Sequence, residues 1–236
     1  MNLVEVFTSI QGEGIFIGQP QIFIRFAGCN LRCNFCDTKE ALTIPRECRI
    51  ATLNKKLKVY NPVTIPSLID LIKEDILIYS TICLTGGEPL LEENSIKELI
   101  SEIKKGYKCQ IYLETNGTLP QSLEQIIDGV DIIAMDIKLS SVTGLQSFWE
   151  EHKDFLKIAN KKEVFVKIVL GYKVVIEEFR KAVFLIKAVN MDIPLALQPL
   201  NNSLSLQELL QYQAEANKEL NIVRVIPQVH KLVGWK

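Results

Sequence analysis

Apolar residues along the chain fall in short runs that alternate with segments of helical periodicity. The strand-like runs lie at 21–26, 81–84, 110–113, 131–137, 163–169, 194–197 and 222–226. The segments with helical spacing of apolar residues lie at 67–79, 93–105, 121–128, 146–158, 174–190 and 205–220. Strands that alternate with helices of this length are typical of βαβ units, so the pattern predicts an α/β fold with a parallel sheet.

One stretch departs from this alternation. Residues 38–66 are basic and rather polar, and they carry Pro45, Pro62 and Pro66. We interpret them as an irregular insert, at about 39–63, that leads into the helix near 67–79. Because the chain shows no internal repeat and no composition break, we expect a single domain over residues 1–236.

Unusual polar residues follow the predicted strands at their carboxyl ends. In chain order they are Cys29, then Thr85-Gly86-Gly87-Glu88-Pro89, Glu114-Thr115-Asn116-Gly117, Asp136 with Lys138, Gln198-Pro199 and His230. In parallel α/β sheets and barrels, ligands bind at this edge because the loops converge there. The pattern therefore predicts one common site built from six strand ends.

Three cysteines, Cys29, Cys33 and Cys36, form a CxxxCxxC loop directly after the first predicted strand. Thiols at this spacing bind metal, and a structural zinc site or an ordinary iron–sulfur cluster takes four ligands. One interpretation is therefore zinc with a fourth ligand such as Cys48 or His230. The other is a cubane cluster with one iron left open for a small molecule.

The remaining cysteines and one histidine lack a supporting motif. Cys48, Cys83 and Cys109 are scattered, and the last two fall in apolar strand-like stretches. A cysteine in such a stretch usually behaves as a small buried hydrophobic residue, so we do not expect these three to be cluster ligands. We interpret His152 as a surface residue.

Composition excludes several classes of partner. Hydrophobic residues make up 47% of the 236 residues, which is enough for a substantial core. With 27 basic and 28 acidic residues, charge gives no reason to expect nucleic acid or an anionic membrane as partner. No apolar run approaches the roughly 20 residues that span a bilayer. Since residues 1–6 lack a signal-peptide pattern, we expect a cytoplasmic protein.

The Gly86-Gly87-Glu88-Pro89 turn adds chemistry to the cysteine loop. Two glycines after a strand permit a close backbone approach by a ligand, although alone they also fit an ordinary strand-to-helix turn. Together with the cysteine loop, this turn resembles the radical S-adenosylmethionine (SAM) enzymes. The resemblance implies a modified partial (β/α) barrel, a [4Fe-4S] cluster on the three cysteines, SAM on the fourth iron and the glycine turn at the SAM amino group.

Further motifs are similar to one family of these enzymes, the 7-carboxy-7-deazaguanine synthases of queuosine biosynthesis. The matching motifs are Ser9–Gly14, Arg25–Leu31, Cys36–Thr38, Glu114–Thr118, Asp136–Lys138, Gln198-Pro199 and Pro227–Lys231. The resemblance implies conversion of 6-carboxy-5,6,7,8-tetrahydropterin to 7-carboxy-7-deazaguanine with release of ammonia. It also implies Mg²⁺, a flavodoxin or ferredoxin-type electron donor and a homodimer. Another radical SAM enzyme, such as a glycyl-radical activase, or a non-enzymatic metal or electron-transfer module remains an alternative.

The resemblance assigns roles residue by residue. The SAM site would comprise Phe35, Cys36, Asp37, Gly86, Gly87, Glu88, Glu114, Asp136, Ile137, Lys138, Gln198, Pro199, Leu200 and Asn201. The substrate site would comprise Ile10, Gln11, Gly12, Glu13, Arg25, Thr85, His230 and the terminal carboxylate of Lys236. Catalysis would depend on the three cluster cysteines with Glu13, Arg25 and His230, and Thr38 would give its hydroxyl to Mg²⁺.

Several of these residues also have ordinary interpretations. Glu13 could be a turn residue beside two glycines, and Arg25 could keep its stem in the core and its head in water. Thr38 could cap a helix. Asp136 and Lys138 lie on the same side of a strand, so they could form a plain ion pair.

Overall fold

The computed structural model describes residues 1–201 and 203–234. Its strands are β1 Leu3–Ile10, β2 Pro20–Phe26, β3 Glu47–Ala51, β4 Lys56–Tyr60, β5 Thr81–Gly86, β6 Gln110–Thr115, β7 Ile132–Asp136, β8 Glu163–Leu170, β9 Leu195–Pro199 and β10 Val223–Val225. Its α-helices are α1 Ile65–Ile78, α2 Glu93–Gly106, α3 Pro120–Ile126, α4 Ser140–Thr143, α5 Trp149–Ala159, α6 Ile176–Val189, α7 Leu206–Ala216 and α8 Val229–Val233.

The strands form one sheet in the order β10-β9-β8-β7-β6-β5-β2-β1-β3-β4. The seven strands predicted from the apolar runs are β2 and β5 to β10, and all pairings among them are parallel. The predicted α/β fold is therefore confirmed. The six predicted helices correspond to α1, α2, α3, α5, α6 and α7. No helix among the described residues is long and apolar enough to cross a membrane.

The expectation of an irregular insert at 39–63 is wrong. A short 3₁₀ helix at Lys39–Leu42 is followed by the β3–β4 hairpin, which extends the sheet beyond β1. Cys48 and Ile50 of β3 are buried, whereas Glu47, Arg49 and Ala51 are partly or fully exposed. The alternation was hard to recognise because both strands are short and β4 is rich in lysine, as exposed edge strands often are.

The sheet curls into a partial barrel. Strands β1 and β10 are seven strand positions apart, which would be about 34 Å in a flat sheet. Nevertheless, the amide of Val229, just after β10, donates to the carbonyl of Gly12, just after β1, at 2.9 Å. Because β1 pairs antiparallel with β2 and lies beside the parallel strands, this hydrogen bond requires the sheet to curve until the loop after β1 meets the segment after β10.

Two apolar clusters fill the two faces of the curled sheet. The large outer cluster packs the strands against the helices and includes Leu3, Ile24, Phe155 and Phe179. A smaller cluster lies on the inner face: Phe7, Phe23, Cys83, Tyr112, Ile132, Ala134, Phe165 and Ala196, with Ile15 and Phe16 packed against it. Three residues of this inner cluster, Phe7, Phe23 and Ala134, also line the cavity described below.

Candidate active site

A cavity of about 230 Å³ opens at the carboxyl end of the parallel strands. Most of the predicted site residues line it: Ile10, Gln11, Gly12, Glu13, Arg25, Cys29, Cys33, Phe35, Cys36, Asp37, Thr38, Thr85, Gly86, Gly87, Glu114, Asp136, Lys138 and His230. Five of the six predicted strand ends therefore contribute to one cavity, whereas the Gln198-Pro199 end is not part of its lining.

Several other predicted residues lie outside this lining. They are Glu88, Ile137, Gln198, Pro199, Leu200 and Asn201. Lys236 falls outside the described residues. The cavity lining also includes residues to which the sequence assigned no site role. Leu31, Thr115 and Asn116 lie within the quoted motifs, whereas Phe7, Phe23, Leu42, Ala134 and Lys167 lie outside them.

The cysteine loop presents its three thiols to the cavity. Cys29, Cys33 and Cys36 are half-buried and unpaired. The amide of Leu31 donates to Cys29 Sγ at 3.4 Å, and the amide of Cys36 donates to the carbonyl of Cys33 at 3.1 Å. Burial raises the pKa of the Cys29 and Cys33 thiols above the ordinary value. A bound cation would therefore favour their thiolate forms.

The donor geometry distinguishes the two metal interpretations. Among the described residues, no three His, Cys, Asp or Glu side chains converge on one point that could hold a single ion. Zinc needs such convergence, and Cys48 is buried in β3 away from the cavity lining. In a cubane cluster each thiolate binds a different iron, so three cysteines that line one cavity without forming a single-ion site fit that group.

The two glycines of the turn after β5 are required by the chain itself. Gly86 has φ +127°, and a Cβ there would lie 2.4 Å from the carbonyl oxygen of Phe26. A Cβ at Gly87 would lie 1.9 Å from the carbonyl oxygen of Gly28. The turn therefore packs directly on the backbone that leads into the cysteine loop. This packing keeps the amide-rich turn beside the thiols.

Glu88 stabilises this turn and is not itself part of the cavity lining. Its side chain is almost fully buried and accepts from Leu90 N at 3.1 Å, Thr115 Oγ1 at 2.8 Å and Asn116 N at 2.8 Å. Burial raises its pKa to about 7, although these three donors favour the ionised form. Glu88 thus joins the ends of β5 and β6.

Four charged side chains form a row along the cavity. Lys167 Nζ lies 2.5 Å from Glu13 Oε2 and 3.6 Å from Asp136 Oδ1, and Lys138 Nζ lies 2.7 Å from Asp136 Oδ2. Lys138 also stands 5.7 Å from the centre of the Phe35 ring. The ion-pair interpretation of Asp136 and Lys138 is therefore confirmed, and both residues still face the cavity.

Arg25 is held by a buried carboxylate on the neighbouring strand. Its Nε donates to Glu5 Oε1 at 3.0 Å, and Glu5 is 2% exposed. The other oxygen of Glu5 accepts from Arg49 of β3 at 3.1 Å. The Arg25 guanidinium also lies 5.5 Å from the centre of the Phe7 ring. Its head is thus fixed at the cavity wall and does not extend into bulk water.

Glu114 connects two predicted substrate residues. Its Oε2 accepts from Thr85 Oγ1 at 2.7 Å, and its Oε1 accepts from Gln11 Nε2 at 2.9 Å. The side-chain carbonyl of Gln11 accepts in turn from the amide of Glu13 at 3.0 Å. This chain of hydrogen bonds orients the loop after β1 relative to the end of β5.

The C-terminal segment covers the cavity beside the loop that follows β1. A Cβ at Gly12 would lie 2.6 Å from His230 Nδ1, so the absence of a side chain at residue 12 lets His230 pack there. Gln228 Nε2 donates to Glu13 Oε1 at 2.6 Å and to Asp37 Oδ2 at 3.2 Å. Asp37 Oδ2 also pairs with Lys231 at 2.9 Å, and these contacts hold the pKa of Asp37 below its usual range.

Thr38, in contrast to the cap alternative, makes no side-chain cap bond to the 3₁₀ helix that follows it. Its hydroxyl donates to Asp37 Oδ1 at 3.2 Å, and the residue lines the cavity.

The interpretation of His152 as a surface residue is wrong. Its side chain is fully buried, and Nε2 lies 3.1 Å from the carbonyl oxygen of Asn116. Burial lowers its pKa to about 4, so the ring is neutral. His152 shares a helix face with the buried residues Phe155, Leu156 and Ala159. That helical spacing was the signal that could have identified it as buried.

The chain matches the model of the Radical SAM superfamily over residues 23–186. The 7-carboxy-7-deazaguanine synthase of Geobacter sulfurreducens is 39% identical, covering 99% of this chain and 97% of that protein. The synthase of Methanopyrus kandleri is 34% identical, covering 100% of this chain and 94% of that protein. These relatives do not favour a glycyl-radical activase or a non-enzymatic module.

Solved structures agree on the fold. The crystal structure of QueE from Escherichia coli has a TM-score of 0.60 at 21% identity and covers 97% of this chain and 93% of that one. Streptococcus suis SuiB bound to S-adenosylmethionine has a TM-score of 0.55 at 13% identity, covering 87% of this chain and 48% of that one. The chain therefore belongs to the radical SAM superfamily and, within it, to the family of 7-carboxy-7-deazaguanine synthases.

Proposed function

We propose that the chain converts 6-carboxy-5,6,7,8-tetrahydropterin to 7-carboxy-7-deazaguanine with release of ammonia. The observation that carries this proposal is a single cavity whose wall combines the three thiols of a radical SAM site with Glu13, Arg25 and His230. Full-length similarity to the Geobacter sulfurreducens synthase supports the same reaction.

The residues present fit a [4Fe-4S] cluster and SAM. Cys29, Cys33 and Cys36 would hold the cluster. Asp136 lines the cavity, and its Oδ1 is a buried side-chain atom without a hydrogen-bond partner among the described residues, so it could accept from a ligand. When bound, the cluster and SAM supply a one-electron cleavage that yields a carbon radical able to abstract hydrogen.

The SAM-binding role would fall on the residues beside the thiols. Phe35, Cys36 and Asp37 would place their backbone against the adenine, and Gly86 and Gly87 would receive the amino group. The other proposed SAM residues are Glu88, Glu114, Asp136, Ile137, Lys138 and Gln198 to Asn201. Since the Glu88 carboxylate is occupied by three donors from the turn, its contribution would be to position the glycines.

The pterin would lie between the loop after β1 and the strand ends of β2 and β5. Arg25 would pair with the substrate carboxylate, a task suited to a planar and permanently charged group. The Glu13 carboxylate is ionised, since its contacts with Lys167 and Gln228 outweigh burial and lower its pKa to about 2. It would accept from the N–H groups of the pterin ring, while Thr85 and His230 complete the wall.

Further features of the reaction are also proposals. Thr38 would give its hydroxyl to a Mg²⁺ ion that bridges to the substrate, because Mg²⁺ prefers oxygen ligands and keeps partners besides protein. A flavodoxin or ferredoxin-type protein would supply the electron. We also propose a single-domain, cytoplasmic enzyme that acts as a homodimer.

The test is anaerobic reconstitution with iron and sulfide, followed by assay with SAM, a reductant, Mg²⁺ and carboxy-tetrahydropterin. We expect the deazaguanine product, and we expect SAM to be recovered intact after turnover. A Cys33→Ala variant should lose bound iron and product formation, whereas Cys109→Ala should keep both. If SAM is cleaved but no deazaguanine forms, the substrate assignment is wrong.

A further inference from the structure

Lys167 lies on the inner face of β8 and belongs to none of the ligand sets assigned above. The register of β7 and β8 places it directly beside Asp136. From there its Nζ reaches Glu13 at 2.5 Å and Asp136 Oδ1 at 3.6 Å. Its side chain is 13% exposed, and it lines the cavity between the loop after β1 and the end of β7.

The charges around Lys167 are complementary. A largely buried ammonium needs a partner to remain charged, and here two carboxylates flank it. They keep the pKa of Lys167 well above its ordinary value despite burial. Lys138 neutralises the other oxygen of Asp136 at 2.7 Å. Negative and positive side chains therefore alternate along the row, in the order Glu13, Lys167, Asp136 and Lys138.

Glu13 retains capacity for a ligand after these contacts. Lys167 occupies its Oε2, and Gln228 donates to its Oε1 at 2.6 Å. An ionised carboxylate offers about four acceptor sites, so each oxygen can still accept another hydrogen bond. The ring of a pterin carries neighbouring N–H donors that match a carboxylate held in a fixed orientation.

We propose that Lys167 is a positioning residue that fixes the Glu13 carboxylate for the pterin and, through Asp136, couples the pterin site to the SAM site. This inference rests on the proposed function, since the ligands of Glu13 and Asp136 come from it. In this proposal Lys167 does not contact the reacting atoms of SAM or of the pterin. It acts through the carboxylates of Glu13 and Asp136. Loss of Lys167 should therefore weaken pterin binding only while Glu13 is present.

The experiment is a double-mutant cycle in equilibrium binding. The Kd for carboxy-tetrahydropterin is measured on cluster-loaded protein without reductant, with and without SAM. Lys167→Met and Glu13→Gln should each raise the Kd roughly tenfold to a hundredfold. The double variant should bind no more weakly than the weaker single variant. In Lys167→Met the effect of SAM on the pterin Kd should disappear.

Lys187→Met is the matched control, because Lys187 of α6 forms an ion pair with Glu219 in the turn after α7. Its Kd should equal that of the wild type. An unchanged Kd in Lys167→Met, or additive losses in the double variant, would overturn the inference. If Lys167→Met does not fold, the cycle is repeated with Lys167→Ala, which also removes the donor but leaves room for water beside the two carboxylates, and the same two outcomes decide. A wild-type protein that binds no pterin contradicts the proposed function instead.

Discussion

Arg25 donates its Nε to Glu5 Oε1 at 3.0 Å, and this ion pair fixes the guanidinium at the cavity wall. Glu5 is buried on β1, so it has little freedom to move with its partner. Its second oxygen pairs with Arg49, which the β3–β4 hairpin supplies. The hairpin therefore contributes indirectly to the orientation of the residue that we assign to the substrate carboxylate.

This relationship predicts that Arg49→Met weakens pterin binding although Arg49 does not line the cavity. Loss of Arg49 leaves one oxygen of the buried Glu5 without its ion-pair partner, so Glu5 and Arg25 can reorient together. Because Arg49 is 47% exposed, the loss is modest, about twofold to fivefold in pterin Kd. Isothermal titration on cluster-loaded protein measures it.

Lys58→Met serves as the control for Arg49→Met, since Lys58 pairs with Glu47 on the exposed side of the same hairpin. Its Kd should match that of the wild type. Equal Kd values for Arg49→Met and Lys58→Met would mean that the hairpin does not affect Arg25.

A second prediction concerns Glu88, which stabilises the glycine turn. In Glu88→Gln an amide NH₂ replaces one carboxylate oxygen. One of the three groups that now donate to the carboxylate would then face another donor. We expect a loss of about 1–3 kcal/mol in the free energy of unfolding. Chemical denaturation measures it, with the exposed Glu98→Gln of α2 as control. Equal stability of the two variants would contradict the structural role of Glu88.

The third prediction follows from the buried neutral His152. Its pKa is about 4 in the folded protein, against 6.5 for the ordinary side chain. The unfolded state therefore takes up a proton between these values, and the contribution of His152 to stability, complete above pH 6.5, falls as the pH drops toward 4. The loss is about 3 kcal/mol.

The test of this pH dependence compares the wild type with His152→Phe. Glu88, whose pKa is raised to about 7, contributes the opposite slope: its share of stability is lost as the pH rises through that value. Since Glu88 is present in both proteins, the difference between their unfolding free energies isolates His152. That difference should change by about 3 kcal/mol between pH 7 and 4; parallel curves would refute the assignment.

The sequence predicted the parallel part of the sheet because buried parallel strands are continuous apolar runs. It did not reveal β1, in which Glu5 points into the protein and interrupts the apolar pattern. A buried carboxylate is stable there only because two arginines from other strands reach it, and that pairing depends on the sheet order. Local patterns do not contain such information.

The site residues divide in the same way, into those that the local sequence pattern indicates and those that only the sheet register brings to the site. Residues at strand ends, such as Asp136, could be predicted because topology brings all carboxyl edges together. Lys167 lies within an apolar run and becomes part of the site only through its register with Asp136. A lysine inside an apolar strand is rarely buried without a charged partner, so its position was a signal that could have been used.

The last prediction concerns the contact between Gly12 and His230. In Gly12→Ala the new methyl group would lie 2.6 Å from both Cβ and Nδ1 of His230, so α8 must move and the hydrogen bond from Val229 to Gly12 is strained. We expect pterin affinity to fall by at least about tenfold, together with faster hydrogen exchange at the Val229 amide. Gly106→Ala is the control, because a Cβ at the end of α2 meets no atom within 4 Å. Unchanged affinity in Gly12→Ala with faster exchange would show that the pterin does not need the C-terminal helix in this position.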